Sequence, residues 1–172
     1  MFFKKKITVM QEPEIVEFNE SIKAVGISVD TDSKNANKDI SKLGKEFAHI
    51  KANIVHKDQP WRFIAASKNF NRKAGTFTYF MGDVVTSFEG QPEDLEQYEI
   101  PKIMYAKLTI KPKNKLSWGL EIIKMKKHFY TEWLPNSKYK QAKSVDEIEM
   151  HDDRSRAKKP EMDMYFAIKK KK

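Results

Sequence analysis

The chain has 172 residues, a hydrophobic fraction of 40%, a formal net charge of +9 and no cysteine. That length suits one ordinary domain or two small fused halves, with enough apolar residues for a core. Without cysteine there can be no disulfide framework, thiolate nucleophile or Cys-ligated metal, which fits a reducing cytoplasm. No window approaches the ~18 apolar residues of a membrane span, and MFFKKKITVM places its apolar residues before the lysines, unlike a signal peptide. A cytoplasmic protein with no membrane association is expected.

Residues 1–12 read as an N-terminal extension. Strand-like alternation begins at SIKAVGISVDT, with Val25, Ile27 and Val29 on one face and Ala24, Gly26 and Ser28 on the other. A helix follows from a polar start near Ser33, with Ile40, Leu43, Phe47 and Ile50 at helical spacing. Two further strands are expected at Arg62–Ser67 and Thr76–Val85, separated by the turn signal KNFNRKAG. Residues 88–99 form an acidic linker, since every charged residue from Asp83 to Glu99 is an acid.

After the linker the same order returns. KIMYAKLTIKP is a strand, and a helix from about Ser117 puts Trp118, Ile122, Met125, Phe129 and Trp133 on one stripe. The sequence Leu134-Pro135 is expected to force the chain out of that helix, because proline disfavours helix in the residue before it. SVDEIEMH and EMDMYFAIKK close the chain as two strands. The fold class is therefore α+β, a tandem pseudo-twofold repeat of strand–helix–strand–strand. The half-repeats span about 13–87 and 100–170 of one domain over 13–170, with a ligand groove between the halves.

Strand parity assigns faces. Met162, Met164, Phe166 and Ile168 are expected to face the helices, with Met104, Ala106, Leu108 and Ile110, and with Ile148 and Met150. That leaves Tyr105, Lys107, Thr109, Glu147, Glu149, His151, Asp163 and Tyr165 together on the opposite face, where the groove is expected. Between Lys111 and Lys143, nine lysines against Glu121 and Glu132 leave a local excess of +7. This is read as the solvated side of a helix, without specific nucleic-acid binding.

The segments EWLPNSKY (Glu132–Tyr139), IEMHDDR (Ile148–Arg154) and PEMDMYFAIKK (Pro160–Lys170), in that order, resemble the GyrI-like small-molecule-binding domain family. That domain is the effector-binding module of bacterial multidrug-responsive transcription activators and also occurs as a stand-alone protein. AVGISV and IPKIMYAKL are similar to its first and fifth strands. The resemblance implies a groove whose carboxylate is Glu149, with Tyr105, Trp133 and Tyr165 in an aromatic surround; strand parity puts His151 and Lys107 on the same face. His151 stands where the family usually has Tyr, Lys138 replaces the Gly of its S-G-Y, and Ala167 replaces a common Pro.

A carboxylate walled by rings would take a flat cation through charge and ring faces together. The leading expectation is thus a stand-alone binder of amphipathic or cationic aromatic compounds, acting in sensing, sequestration or detoxification. One alternative is a hydrolase of strained cyclopropane-containing compounds with Glu149 as general base and a tyrosine holding substrate. A second is an inhibitor that binds a protein partner, as gyrase inhibitors do. His49, His56, His128 and His151 show no metal spacing, and no phosphate-binding glycine loop is present, so neither metal nor cofactor is expected.

Overall fold

The computed structural model describes residues 11–143 and 147–172. Most of the expected extension, residues 1–10, and the first part of SVDEIEMH, residues 144–146, lie outside the described residues. The chain order is β1 (Glu14–Glu17), β2 (Ile22–Asp32), α1 (Ala36–Ile50), β3 (Phe63–Asn71), β4 (Thr76–Val85) and β5 (Glu96–Ile100). It continues through β6 (Met104–Ile110), α2 (Trp118–His128), α3 (Leu134–Asn136), β7 (Tyr139–Gln141), β8 (Glu147–His151) and β9 (Met162–Lys170).

All strand pairs are antiparallel, in the order β1-β6-β9-β8-β3-β4-β2-β5, with β7 added alongside β9. The unit β2–α1–β3–β4 is matched by β6–α2–β8–β9, and the halves join where β3 pairs β8, Ala65 opposite Glu149. The expected tandem repeat is therefore present. Its outer edges are exchanged. β1 precedes the first half yet pairs β6 of the second, while β5, formed from the acidic stretch, pairs β2 of the first. Burying the backbone groups of both outer strands in ladders is the physical gain of that exchange.

Local chemistry accounts for the boundaries. Asp32 ends β2 because its carboxylate accepts from the backbone N–H of Lys34 and Asn35, at 2.8 and 2.9 Å, starting the turn into α1. Those donors hold its carboxyl below the usual range. Gly26 lies opposite Gly82 in the β2–β4 pair, and a Cβ on Gly26 would fall 1.9 Å from the Met81 carbonyl oxygen. Only glycine allows the two backbones to come so close.

The end of α2 differs from the expectation. The chain does not leave the helix at Leu134-Pro135. It widens into a π turn over Phe129–Trp133, with the Leu134 N–H bonded to the Phe129 carbonyl, and then makes one more helical turn to Asn136. Proline has no N–H and its ring crowds the carbonyl of the preceding turn. The wider i→i+5 turn before it, with Pro135 at the start of the last turn, accommodates both defects.

The helices share one face of the sheet. On it α1 packs Leu43 and Phe47 against Val25, Ala65, Tyr79 and Met81. α2 and its continuation pack Trp118, Ile122, Met125, Phe129 and Trp133 against Ala106, Leu108, Met164 and Phe166. The stripe expected on α2 is therefore its packed face. The other face of the sheet is also buried, as a core in which Ile64, Phe80, Tyr105, Ile148, Tyr165 and Ala167 meet Phe18, Tyr98 and Ile103 from the edge strands and their connections. No helix among the described residues is long and apolar enough to cross a membrane.

Candidate functional site

Because α1 sits over the β2–β4 side and α2 over the β6–β9 side, the two innermost strands, β3 and β8, form a floor between them. Side chains facing the helices alternate along each strand. On β8 they are Glu147, Glu149 and His151, and their cross-strand partners on β3 are Ser67, Ala65 and Phe63. On β9 the partners of Glu147 and Glu149 are Phe166 and Met164, which belong to the core beneath α2. Two carboxylates thus lie on a floor whose facing residues on β3, Ala65 and Ser67, are small.

This arrangement corrects the parity assignment for β8. Ile148 and Met150 are buried, but in the helix-free core with Tyr105 and Tyr165. Glu149 is on the helix side, so the expected grouping of Glu149 with Tyr105 and Tyr165 is not present. The reason is that both faces of the sheet are buried, and apolar–polar alternation then says that a strand has two kinds of face without saying which one meets the helices.

Tyr105 is fully buried, stacks on Phe18 at 4.6 Å and donates its hydroxyl to the Pro101 carbonyl at 2.7 Å. Burial pushes its phenol well up, and burial together with Asp163 pushes that of Tyr165 up to about 12. Neither ring can reach a ligand beside Glu149, so the hydrolase alternative loses both tyrosines assigned to hold its substrate. Lys107 lies on the face of Tyr165, its register partner, and pairs with Glu14 at 3.4 Å rather than with Glu149. Trp133 belongs to a ring stack running Phe166–Phe129–Trp133–Tyr139, and its indole N–H donates to Glu12 at 2.9 Å. It packs the end of the helix and is away from the floor.

Of the expected residues, the floor brings together Glu149 and His151. The Glu149 side chain is 14% exposed, with His151 Nε2 at 3.9 Å from its carboxylate. Glu147 is ion-paired with Lys126 of α2 and accepts from the Tyr130 hydroxyl at 3.2 Å. Burial alone would lower the Lys126 ammonium, but Glu147 and Glu149 outweigh it and leave it raised. Tyr79, one strand out, is pushed well up by burial and by the field of both glutamates. The floor therefore carries two carboxylates of unlike status. Glu147 is matched by a lysine, and Glu149 has an imidazole at the limit of ion-pair distance.

Rings stand around the His151 end. His151 lies 5.8 Å from both Phe63 and Trp118, Phe63 is 5.4 Å from Phe47, and Trp61 lies over Phe63 at 6.4 Å. At the other end an open cavity of about 1490 Å³ is lined by Ser67 and Glu147 of the floor and bordered by Lys126, Lys127, Lys140 and Lys143. Glu149 does not line it, and a rim of lysines suits anions, so the floor and the ring cluster are taken as the site. Sequence reading missed Phe63, Trp118, Trp61 and Lys126. The placement of Trp118 on the apolar stripe was legible; its closeness to His151 was not, since it depends on how α2 crosses β9. Among the described residues no group of three or more His, Asp or Glu side chains is placed to hold a metal.

The fold is shared with solved structures of low sequence identity. An integron cassette protein from Vibrio cholerae superposes with a TM-score of 0.62 at 12% identity, covering 92% of this chain and 97% of that one. SAV2435, solved bound to tetraphenylphosphonium, gives 0.65 at 13% identity over 92% and 94%. The C-terminal domain of EcmrR gives 0.59 at 18% identity over 93% and 98%. A search of curated proteins by sequence finds no match. From Glu14 to Ile168 the chain matches the model of the integron-associated effector binding protein family, Cass2, and it belongs to that family of effector-binding proteins.

Proposed function

We propose that the protein binds a flat or aryl cation of low molecular weight on the β3–β8 floor, with Glu149 as the charge that recognises it. The observation that carries this reading is the Glu149 carboxylate itself, largely withdrawn from water, with no lysine or arginine among the described residues at ion-pair distance and an imidazole 3.9 Å away. A carboxylate so placed attracts a cation more strongly than one in bulk water. Phe63 and Trp118 supply the ring faces that hold a delocalised cation. The tetraphenylphosphonium on SAV2435 is a ligand of this chemistry.

Isothermal titration with tetraphenylphosphonium tests the reading. Saturable binding at one site is expected, lost or weakened in Glu149→Gln and unchanged in Lys107→Met. Equal binding by the wild type and Glu149→Gln would sink it.

A further inference from the structure

Trp61 stands at the ring-lined end of the floor, and its indole already carries a cation. The Arg156 guanidinium lies over the ring with its central carbon 3.6 Å from the centroid. The two residues come from different parts of the chain. Trp61 leads into β3 and is held in place by its N–H, which donates to the buried Asp83 carboxylate at 3.1 Å. Asp83 is itself paired with Lys57 at 3.1 Å. Arg156 ends a short helical turn, Asp153–Arg156, in the β8–β9 connection. That turn is tied to the floor through Ser155, whose hydroxyl lies 3.0 Å from His151 Nδ1 and donates to the Glu161 carbonyl at 2.8 Å.

The indole is thus fixed, while the arginine over it is held loosely. The Arg156 side chain is 60% exposed, and its ion-pair partner Asp153, at 4.0 Å, is 73% exposed. A pair so open to water adds little. The guanidinium is planar, delocalised and weakly hydrated, and so is suited to an aromatic face. It makes at Trp61 the same contact that an aryl cation would make.

We propose that Arg156 occupies, as an internal stand-in, the indole face on which a cationic ligand sits. Trp61 is then a latent ligand contact beside Phe63, and Arg156 sets how tightly the groove takes cations. A ligand reaching this end displaces the guanidinium into water and loses the repulsion of its charge. The inference rests on the groove reading given above.

Titration of wild type, Arg156→Gln and the double variant Arg156→Gln/Trp61→Leu with tetraphenylphosphonium tests it, with thermal melts confirming that each is folded. Arg156→Gln is expected to bind about two- to fivefold more tightly than wild type, the scale of one exposed guanidinium–indole contact. The double variant should lose that gain. Arg156→Lys keeps the charge without the planar stack, so it should tighten binding by less, and it serves if Arg156→Gln does not fold. Binding by Arg156→Gln alone, with none by wild type, supports the inference. Wild-type binding that Arg156→Gln leaves unchanged or weakens overturns it, as does a gain that survives in the double variant. No binding by wild type or by Arg156→Gln overturns the groove reading and this inference together.

Discussion

Glu147 and Glu149 are two residues apart, on one face of one strand, and the fold treats them differently. Lys126 reaches from α2 to Glu147, whereas Glu149 faces Ala65 across the strand pair. Replacing Glu149 by Gln keeps the shape and removes the charge, so the affinity for an aryl cation is expected to fall by roughly 1–3 kcal/mol, the scale of a charge-assisted contact. Glu147→Gln should cost clearly less, because that charge is already matched. Calorimetry on both variants checks the order. Lys126 also has a pH signature. Its pKa is raised in the folded protein, so the pair contributes in full below the ordinary lysine value of 10.5 and is lost as pH rises through the folded value. The melting temperature of the wild type should therefore exceed that of Lys126→Met near pH 8, with the gap narrowing above about pH 10.5.

Among the elements, α2 and the β2–β4 pair carry the most specific demands. The π turn over Phe129–Trp133 places Trp133 between Phe129 and Tyr139 and admits Pro135. Pro135→Ala restores a backbone N–H without adding bulk and relaxes the demand for a wide turn. A stability change within about 1 kcal/mol is expected, because the packed rings keep the turn as it is. Gly26→Ala is the opposite case. Its Cβ would overlap the Met81 carbonyl, and the main chain has to move. A loss of about 1–3 kcal/mol or more is expected by denaturant unfolding, and wild-type stability in Gly26→Ala would show that the strands are farther apart than described.

At the level of the whole molecule, the exchange of edge strands makes the halves interdependent. Expressed alone, a first half would carry β1 with nothing to pair and leave β3 as an open edge. Residues 11–87 and 88–172, made separately, are each expected to lack a cooperative thermal transition, with a cooperative melt from either one counting against this picture. The surplus of lysines has a different role. Lys111, Lys113, Lys124, Lys127, Lys138, Lys140 and Lys143 are all exposed. Any duplex DNA binding should therefore be weak and non-specific, and should fall with salt at a log–log slope near −0.9 per phosphate neutralised.

The order of elements within each half-repeat, the twofold repeat and the packed stripe of α2 were legible in the sequence, because each rests on local periodicity that neighbours in the chain impose on one another; β1, β7 and the strand β5 at the end of the expected linker were not. Glu149 was legible as the candidate carboxylate, with His151 beside it two residues on. Its surroundings were not. Parity along a strand is local, but which face of β8 meets the helices depends on register with β3 and β9, and with both faces of the sheet buried either assignment gives Ile148 and Met150 a core to enter. The aromatic neighbours of the site, Trp61 and Phe63 entering β3, Phe47 on α1 and Trp118 opening α2, and the arginine beyond β8, Arg156, likewise come from four separate segments, which only the crossing of the helices over the sheet brings together. The exchange of β1 and β5 was also settled there, since an edge strand is chosen by whichever unpaired ladder the folded sheet presents to it.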